Sequence, residues 1–347
     1  MRDMPQTIAA LTVRWQEDHG RNHLPWQQTR DPYRVWLSEV MLQQTQVSTV
    51  LDYYARFLER FPDVRALAMA SEDEVLSLWS GLGYYSRARN LHRCAQQVMA
   101  LHGGVFPGSA QLLQTLPGIG RSTAGAIAAF CFAERVPILD ANVRRVLTRI
   151  LGFEADLAVA ANERALWGQA EILLPRTDLP VTMPRYTQGL MDLGATVCLP
   201  RRPLCTQCPL AQQCIAFRQG DPARYPVKSR KLVRKSVSWW LLLLRDGVGR
   251  VHLQRRPPTG IWAGLHCLPV YEQSAALMEH PAFGAAVSVS EWPVFVHVLT
   301  HRDLHLHTVQ VHPAASDWQG SEGAWFNPAQ WKDLGLPAPI RKLLERI

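Results

Sequence analysis

The sequence predicts two folds in one chain: an all-α domain that closes on a cysteine-rich loop, and an α+β domain after it. Three observations carry this. Up to about Phe217, apolar residues recur at intervals of three and four, as amphipathic helices require. From Lys235 onward they alternate, as in SVSWWLLLL and HLHTVQVH, which is the period of a strand. Near the end of the helical text stand Cys198, Cys205, Cys208 and Cys214, four thiols within 17 residues.

Taken in order, the helical pattern runs through VWLSEVMLQQTQVSTVLDYYARFLERF, DEVLSLWSGLGYYSRARNLHRCAQQVMAL and NERALWGQAEILL. It breaks at residues 61–63, 81–84 and 102–108 and in LPGIG, where Gly and Pro interrupt it. Residues 1–218 are thus expected to form the helical domain, 219–234 a linker rich in Arg, Lys and Pro, and 235–347 the second domain. A content of 47% hydrophobic and 19% charged residues excludes a disordered chain. No apolar run reaches the roughly 18 residues of a membrane span, and the N-terminus lacks the apolar stretch of a signal peptide. A cytoplasmic monomer without a membrane partner is expected. The net charge is +8, and between Pro222 and Leu244 six Lys or Arg occur with no acid, a pattern that favours a polyanion such as nucleic acid.

Residues 116–146, LPGIGRSTAGAIAAFCFAERVPILDANVRRV, hold the most informative pattern. Pro117, Gly118 and Gly120 suit a tight turn that delivers a helix from Ser122, leaving backbone N–H groups turned outward for a phosphate. Asp140 follows an apolar triplet and opens a further helical pattern, where backbone N–H groups can keep a carboxylate ionised. Such turns also occur where nothing binds, and an Asp at a helix start is often only a cap.

The four cysteines are spaced C-x6-C-x2-C-x5-C. Four grouped thiols in an intracellular chain point to a metal centre rather than to disulfides. Zinc is the commoner occupant of four cysteines; uneven spacing without paired knuckles, with Pro200, Pro203 and Pro209 in the loop, favours a cubane iron–sulfur cluster. Cys94, Cys131 and Cys267 read as core residues.

The strings GRNHLPW, WLSEVMLQQTQV, GLGYYSRARNL, LPGIGRST, ILDANVRRVL, the cysteine spacing and QRRPPTGIWAGLHCLP together resemble the helix-hairpin-helix superfamily of base-excision DNA glycosylases that carry a [4Fe–4S] cluster. Within it, the chain is similar to the branch that removes adenine mispaired with 8-oxoguanine or guanine in double-stranded DNA. The resemblance implies a helix-hairpin-helix glycosylase domain with an iron–sulfur loop, then an α+β Nudix-like (MutT-like) domain. It implies that Glu39 donates a proton to the departing base and that Asp140 stabilises the oxocarbenium-like sugar. The residues fit these roles: on a helix Glu39 neighbours Val35, Trp36, Leu42 and Gln43, a largely apolar setting that raises a carboxyl pKa.

Further roles follow from the same resemblance. Asn142 positions the aspartate or the attacking water. Ser122 stands where related endonuclease III-type enzymes carry a nucleophilic lysine, which implies a monofunctional enzyme that leaves an abasic site. Gln43, Gln44 and Tyr84 fill the place of the extruded base. Trp26 and Gln188 form the base pocket; from the residues themselves, Gly118, Gly120 and Arg145 are candidates to contact the DNA backbone.

A working Nudix hydrolase needs a glutamate-rich box for its magnesium, and after Pro269 the chain reads VYEQSAALMEHPAFGAAVSVSEW. The box is missing, so the domain is expected to bind rather than hydrolyse, reading the oxidised guanine through a loop with Leu299, Thr300 and His301. His297, His301, His305 and His307 are expected on a solvated strand rather than at a metal. The competing readings are an endonuclease III-like pyrimidine glycosylase with lyase activity and a non-catalytic iron–sulfur DNA-binding protein.

Overall fold

The structure is a computed structural model and describes residues 7–227, 229, 234–284, 286–313 and 322–347. By contacts the chain forms two compact units, one of Met1–Val50, Asp63–Arg65 and Arg93–Lys231, the other of Leu51–Pro62, Ala66–His92 and Leu232–Ile347. Of the expected linker, Lys228, Arg230 and Lys231 lie outside the described residues.

The helices of the N-terminal two thirds are α1 (Ile8–His19), α2 (Pro32–Met41), α3 (Val47–Arg60), α4 (Val64–Met69), α5 (Glu72–Leu78), α6 (Ser86–His102), α7 (Ala110–Leu113), α8 (Arg121–Phe132), α9 (Ala141–Leu151), α10 (Ala160–Ile172), α11 (Leu179–Thr196) and α12 (Ile215–Arg218). In the first unit, α8, α9, α10 and α11 bury one core that includes Ala126, Val143, Leu147, Leu166, Met183 and Leu193. The small residues of α8 allow the chain to double back across it. A Cβ on Gly125 would lie 2.6 Å from the Pro137 carbonyl, so only glycine admits this crossing. Residues 133–139 form no regular element and pair with no strand among the described residues, contrary to the strand-like reading of the triplet before Asp140.

The second unit joins helices from the first third of the chain to the C-terminal domain. Its main sheet has the order β4-β1-β7-β5, with β6 also pairing β7. Here β1 is Lys235–Leu244, β2 Val251–Arg255, β3 His266–Cys267, β4 Val270–Tyr271, β5 Ala286–Glu291, β6 Phe295–Val298, β7 Arg302–Pro313 and β8 Ala324–Phe326. β1 and β7 run parallel, with Trp240 opposite His307. β1 alternates at its start, but Leu241–Leu244 are all fully buried, because the sheet is covered on both faces there. A smaller sheet has the order β3-β2-β8, and the helices are α13 (Ser274–Met278), α14 (Pro328–Lys332) and α15 (Ala338–Leu344).

The contact boundary does not follow the sequence boundary at 219–234. The Ser80 hydroxyl donates to Leu336 O at 3.2 Å and the Tyr85 hydroxyl to the same oxygen at 3.0 Å. A Cβ on Gly335 would meet Leu76 Cβ at 2.6 Å. Residues 51–62 and 66–92 therefore pack with the α+β domain. No helix among the described residues is long and apolar enough to cross a membrane.

Candidate active site

Helix α2 places Glu39. Asp31 caps it, its side chain accepting from Tyr33 N at 2.9 Å, and Pro32 starts it. Val35, Trp36, Leu37 and Val40 around Glu39 are buried, and the residual exposure of Glu39 opens into a cavity of about 450 Å³. Trp26, Gln27, Val35, Ser38, Glu39 and Gln188 line it, so three residues singled out from sequence meet in one cavity. Burial, and then the charge of Asp140, pushes the Glu39 carboxyl up to about 8.

Asp140 caps α9, with Oδ1 accepting from Val143 N at 2.7 Å. The Ser122 hydroxyl accepts from Leu139 N at 3.1 Å and holds the residue just before it. Burial raises the Asp140 pKa, against backbone N–H groups of Val143 and Asn142 and the charges of Arg145 and Arg144. The sequence expectation of a freely ionised carboxylate is thus modified: desolvation outweighs its partners. Every influence that favours a negative charge still falls on Asp140 and none on Glu39, so of the two it is Asp140 that holds the charge.

Arg145 is expected to face a phosphate, but it turns inward. Its Nε donates to Cys198 O at 2.8 Å, and its Nη2 to Asn142 Oδ1 at 2.8 Å and Gly194 O at 2.6 Å. Asn142 accordingly anchors Arg145. Gly118 has φ 76°, the left-handed turn anticipated for it, and Gly120 is the N-cap of α8. Gln43 and Gln44 lie in the turn after α2, with Gln44 exposed at φ 57°.

Tyr84, Thr300 and His301 meet in the second unit. They line a cavity of about 520 Å³ with Arg89, Trp262 and His297. The Tyr84 and Thr300 hydroxyls are hydrogen-bonded to each other. The histidines expected on one strand are divided: His297 lies on β6, His305 and His307 on β7, and the chain reverses at the expected loop of Thr300 and His301, where Leu299 N donates to Arg302 O at 2.8 Å. Arg87 packs between the rings of Trp79 and Tyr84, 5.3 and 5.5 Å from their centroids, and its Nη2 donates to Leu82 O and Gly83 O at 3.2 and 3.3 Å. His305 and His307 are only half-exposed, and His307 stacks on Trp240 with centroids 4.8 Å apart.

Cys198, Cys205, Cys208 and Cys214 line one pocket with Val146, Arg149 and Leu193. Among the described residues no three His, Cys, Asp or Glu side chains stand close enough to hold a single metal ion. The four thiols instead surround a space. Burial, with the neighbouring cysteines, raises Cys205 and Cys214 and pushes Cys208 up to about 11, so a cationic centre would favour the thiolate form of these three. Arg149, buried beside it, donates from Nη1 to Cys198 Sγ at 3.3 Å and to Leu199 O at 2.7 Å. Four thiols brought to one pocket are the kind of donor set a metal centre uses.

Several cavity residues escaped the sequence reading, Gln27 among them. Both amide atoms of Gln27 are buried and make no hydrogen bond among the described residues. A buried amide left unpaired costs about 1–3 kcal/mol, which marks it as a site for a polar ligand. Its only signal in sequence was adjacency to Trp26.

Residues 37–169 match the family model of HhH-GPD superfamily base excision DNA repair proteins, and residues 239–346 match that of the NUDIX domain. Fold and site thus define a helix-hairpin-helix base-excision repair enzyme with a Nudix-like domain after it. Over 344 residues the chain is 35% identical to the adenine DNA glycosylase of Buchnera aphidicola subsp. Acyrthosiphon pisum (strain APS), covering 97% of each. It is 45% identical over 231 residues to that of Homo sapiens, covering 63% of this chain and 41% of the relative. A solved thermostable thymine-DNA glycosylase is similar at a TM-score of 0.53 and 26% identity, over 61% of this chain and 95% of that one. The chain belongs to the adenine DNA glycosylase family.

Proposed function

We propose that the enzyme hydrolyses the N-glycosidic bond of adenine mispaired with 8-oxoguanine or guanine in double-stranded DNA, as a cytoplasmic monomer, and leaves an abasic site. The observation that carries this reading is a carboxyl held protonated near neutral pH inside a cavity, beside a second carboxyl whose partners favour its charge. The target base is rotated out of the duplex into the cavity. Glu39 gives its proton to the departing adenine, and the Asp140 carboxylate stabilises the positive charge that develops on the sugar. Trp26 walls the pocket, and Gln188 and the unpaired amide of Gln27 offer hydrogen bonds to the purine edge.

Ser122 cannot form a Schiff base with the sugar, and its hydroxyl is engaged with Leu139 N. The reaction stops at the abasic site. Gln43, Gln44 and Tyr84 fill the gap left by the extruded base. Tyr84, Thr300 and His301 belong to the reader of the opposing guanine, and the turn at Gly118 and Gly120 grips the backbone. Cys198, Cys205, Cys208 and Cys214 would hold a [4Fe–4S] cluster, which when bound cross-links the loop from 198 to 214 as a structural centre. Arg145 and Arg149 tie that loop to α9, the helix that begins at Asp140.

Single-turnover incubation with duplexes carrying each mismatch, followed by alkali, tests the proposal. Adenine opposite 8-oxoguanine and guanine is released, and Glu39→Gln releases it about 10²–10⁴-fold more slowly. High-yield borohydride trapping, or release of damaged pyrimidines instead, sinks it.

A further inference from the structure

We propose that Asp192 is a positioning residue that locks the Gln188 amide with its carbonyl oxygen toward the base cavity, so that the enzyme selects a purine with a 6-amino group over one with a 6-oxo group. This deepens the proposed function and rests on it, since it takes the cavity to receive a purine.

Asp192 lies on α11 with no exposed surface. Its Oδ1 accepts from Arg21 Nε at 2.7 Å and from Gln188 Nε2 at 3.0 Å, and its Oδ2 from Arg21 N at 3.0 Å. The Thr196 hydroxyl donates to Asp192 O at 2.8 Å. A buried carboxylate paired with a guanidinium is ionised and can only accept hydrogen bonds. An amide facing it must therefore present its NH2 group. Gln188 precedes Asp192 by one helical turn, so the two side chains share a face. The other end of the amide, Oε1, accepts no hydrogen bond among the described residues, and Gln188 lines the cavity with Glu39 and Trp26.

The cavity is thus presented with an acceptor whose orientation cannot reverse. Adenine offers the matching donor, its exocyclic amino group. Hypoxanthine offers an oxygen at the same place, which sets lone pair against lone pair and leaves both groups unpaired. In solution a glutamine amide flips at little cost and accommodates either base. Selection comes from Asp192, which takes no part in the contact.

The test compares single-turnover release of adenine and of hypoxanthine, each opposite guanine. Three variants are used with the parent: Asp192→Asn; the double change Arg21→Met with Asp192→Leu, which replaces the buried ion pair by apolar side chains, a change proteins often tolerate; and Gln188→Met, which leaves Asp192 and Arg21 paired. Melting temperatures identify which variants are folded. The adenine-to-hypoxanthine ratio is expected to fall at least tenfold in each folded Asp192 variant and in Gln188→Met. Equal slowing of both bases in a folded Asp192 variant, or an unchanged ratio in Gln188→Met, overturns the inference. Failure of the parent to release adenine at all overturns the proposed function instead.

Discussion

The cavity around Glu39 and the cavity around Tyr84 and Thr300 are of similar size, about 450 and 520 Å³, yet differ in what lines them. The first holds a buried acid displaced to about 8 next to a second carboxyl, a pairing that serves proton transfer. The second offers an aromatic face, two hydroxyls bonded to each other and a histidine, His297, whose pKa burial lowers. It holds the means to recognise a base and no acid held protonated. Displaced carboxyls, more than cavity volume, set the two cavities apart, and under the proposed function the first breaks the bond while the second reads the partner base.

The sharpest way to break this comparison is Glu39→Gln. Adenine release should fall by about 10²–10⁴-fold, while the ratio of binding to 8-oxoguanine and guanine duplexes stays at the parental value. A change in that ratio would show that the two cavities do not divide the work. Asp140→Asn removes the negative charge and should slow release by about 10²-fold or more, measured under single turnover.

The pH profile sharpens the contrast. Release should decline above about 8 as Glu39 loses its proton. The sign for stability is the same: the folded chain keeps a proton that the unfolded chain gives up above 4.5, so stability falls from about 4.5 to about 8 and Glu39 contributes no further loss beyond. Glu39→Gln removes that slope and should be the more stable protein at pH 7, by up to about 3 kcal/mol, readable as a higher denaturation midpoint. The smallest effect belongs to the second cavity. Thr300→Val removes one hydroxyl and should reduce the preference for 8-oxoguanine by about fivefold, with adenine release opposite guanine unchanged.

Local patterns made much of this visible in sequence. Helical spacing puts Val35 and Trp36 beside Glu39, and a cap for Asp140 is set within three residues, but the roles expected of both came from the resemblance. The four cysteines needed only their spacing. What stayed hidden depends on partners far along the chain. Asp192 finds Arg21 across 171 residues, and Arg145 looks like a phosphate ligand until Cys198 O and Gly194 O claim it. The division of helices between the two compact units was equally invisible, because the apolar faces of α3 to α5 do not say which surface will cover them.

That last feature bears on synthesis. Leu76, Ser80 and Tyr85 are synthesised well before Gly335 and Leu336, against which they pack. Domains generally mature as units during translation, so this segment waits through some 250 further residues with part of its apolar surface uncovered. Production without residues 324–344, which form β8, α14 and α15, should yield a chain prone to aggregate and dependent on chaperones.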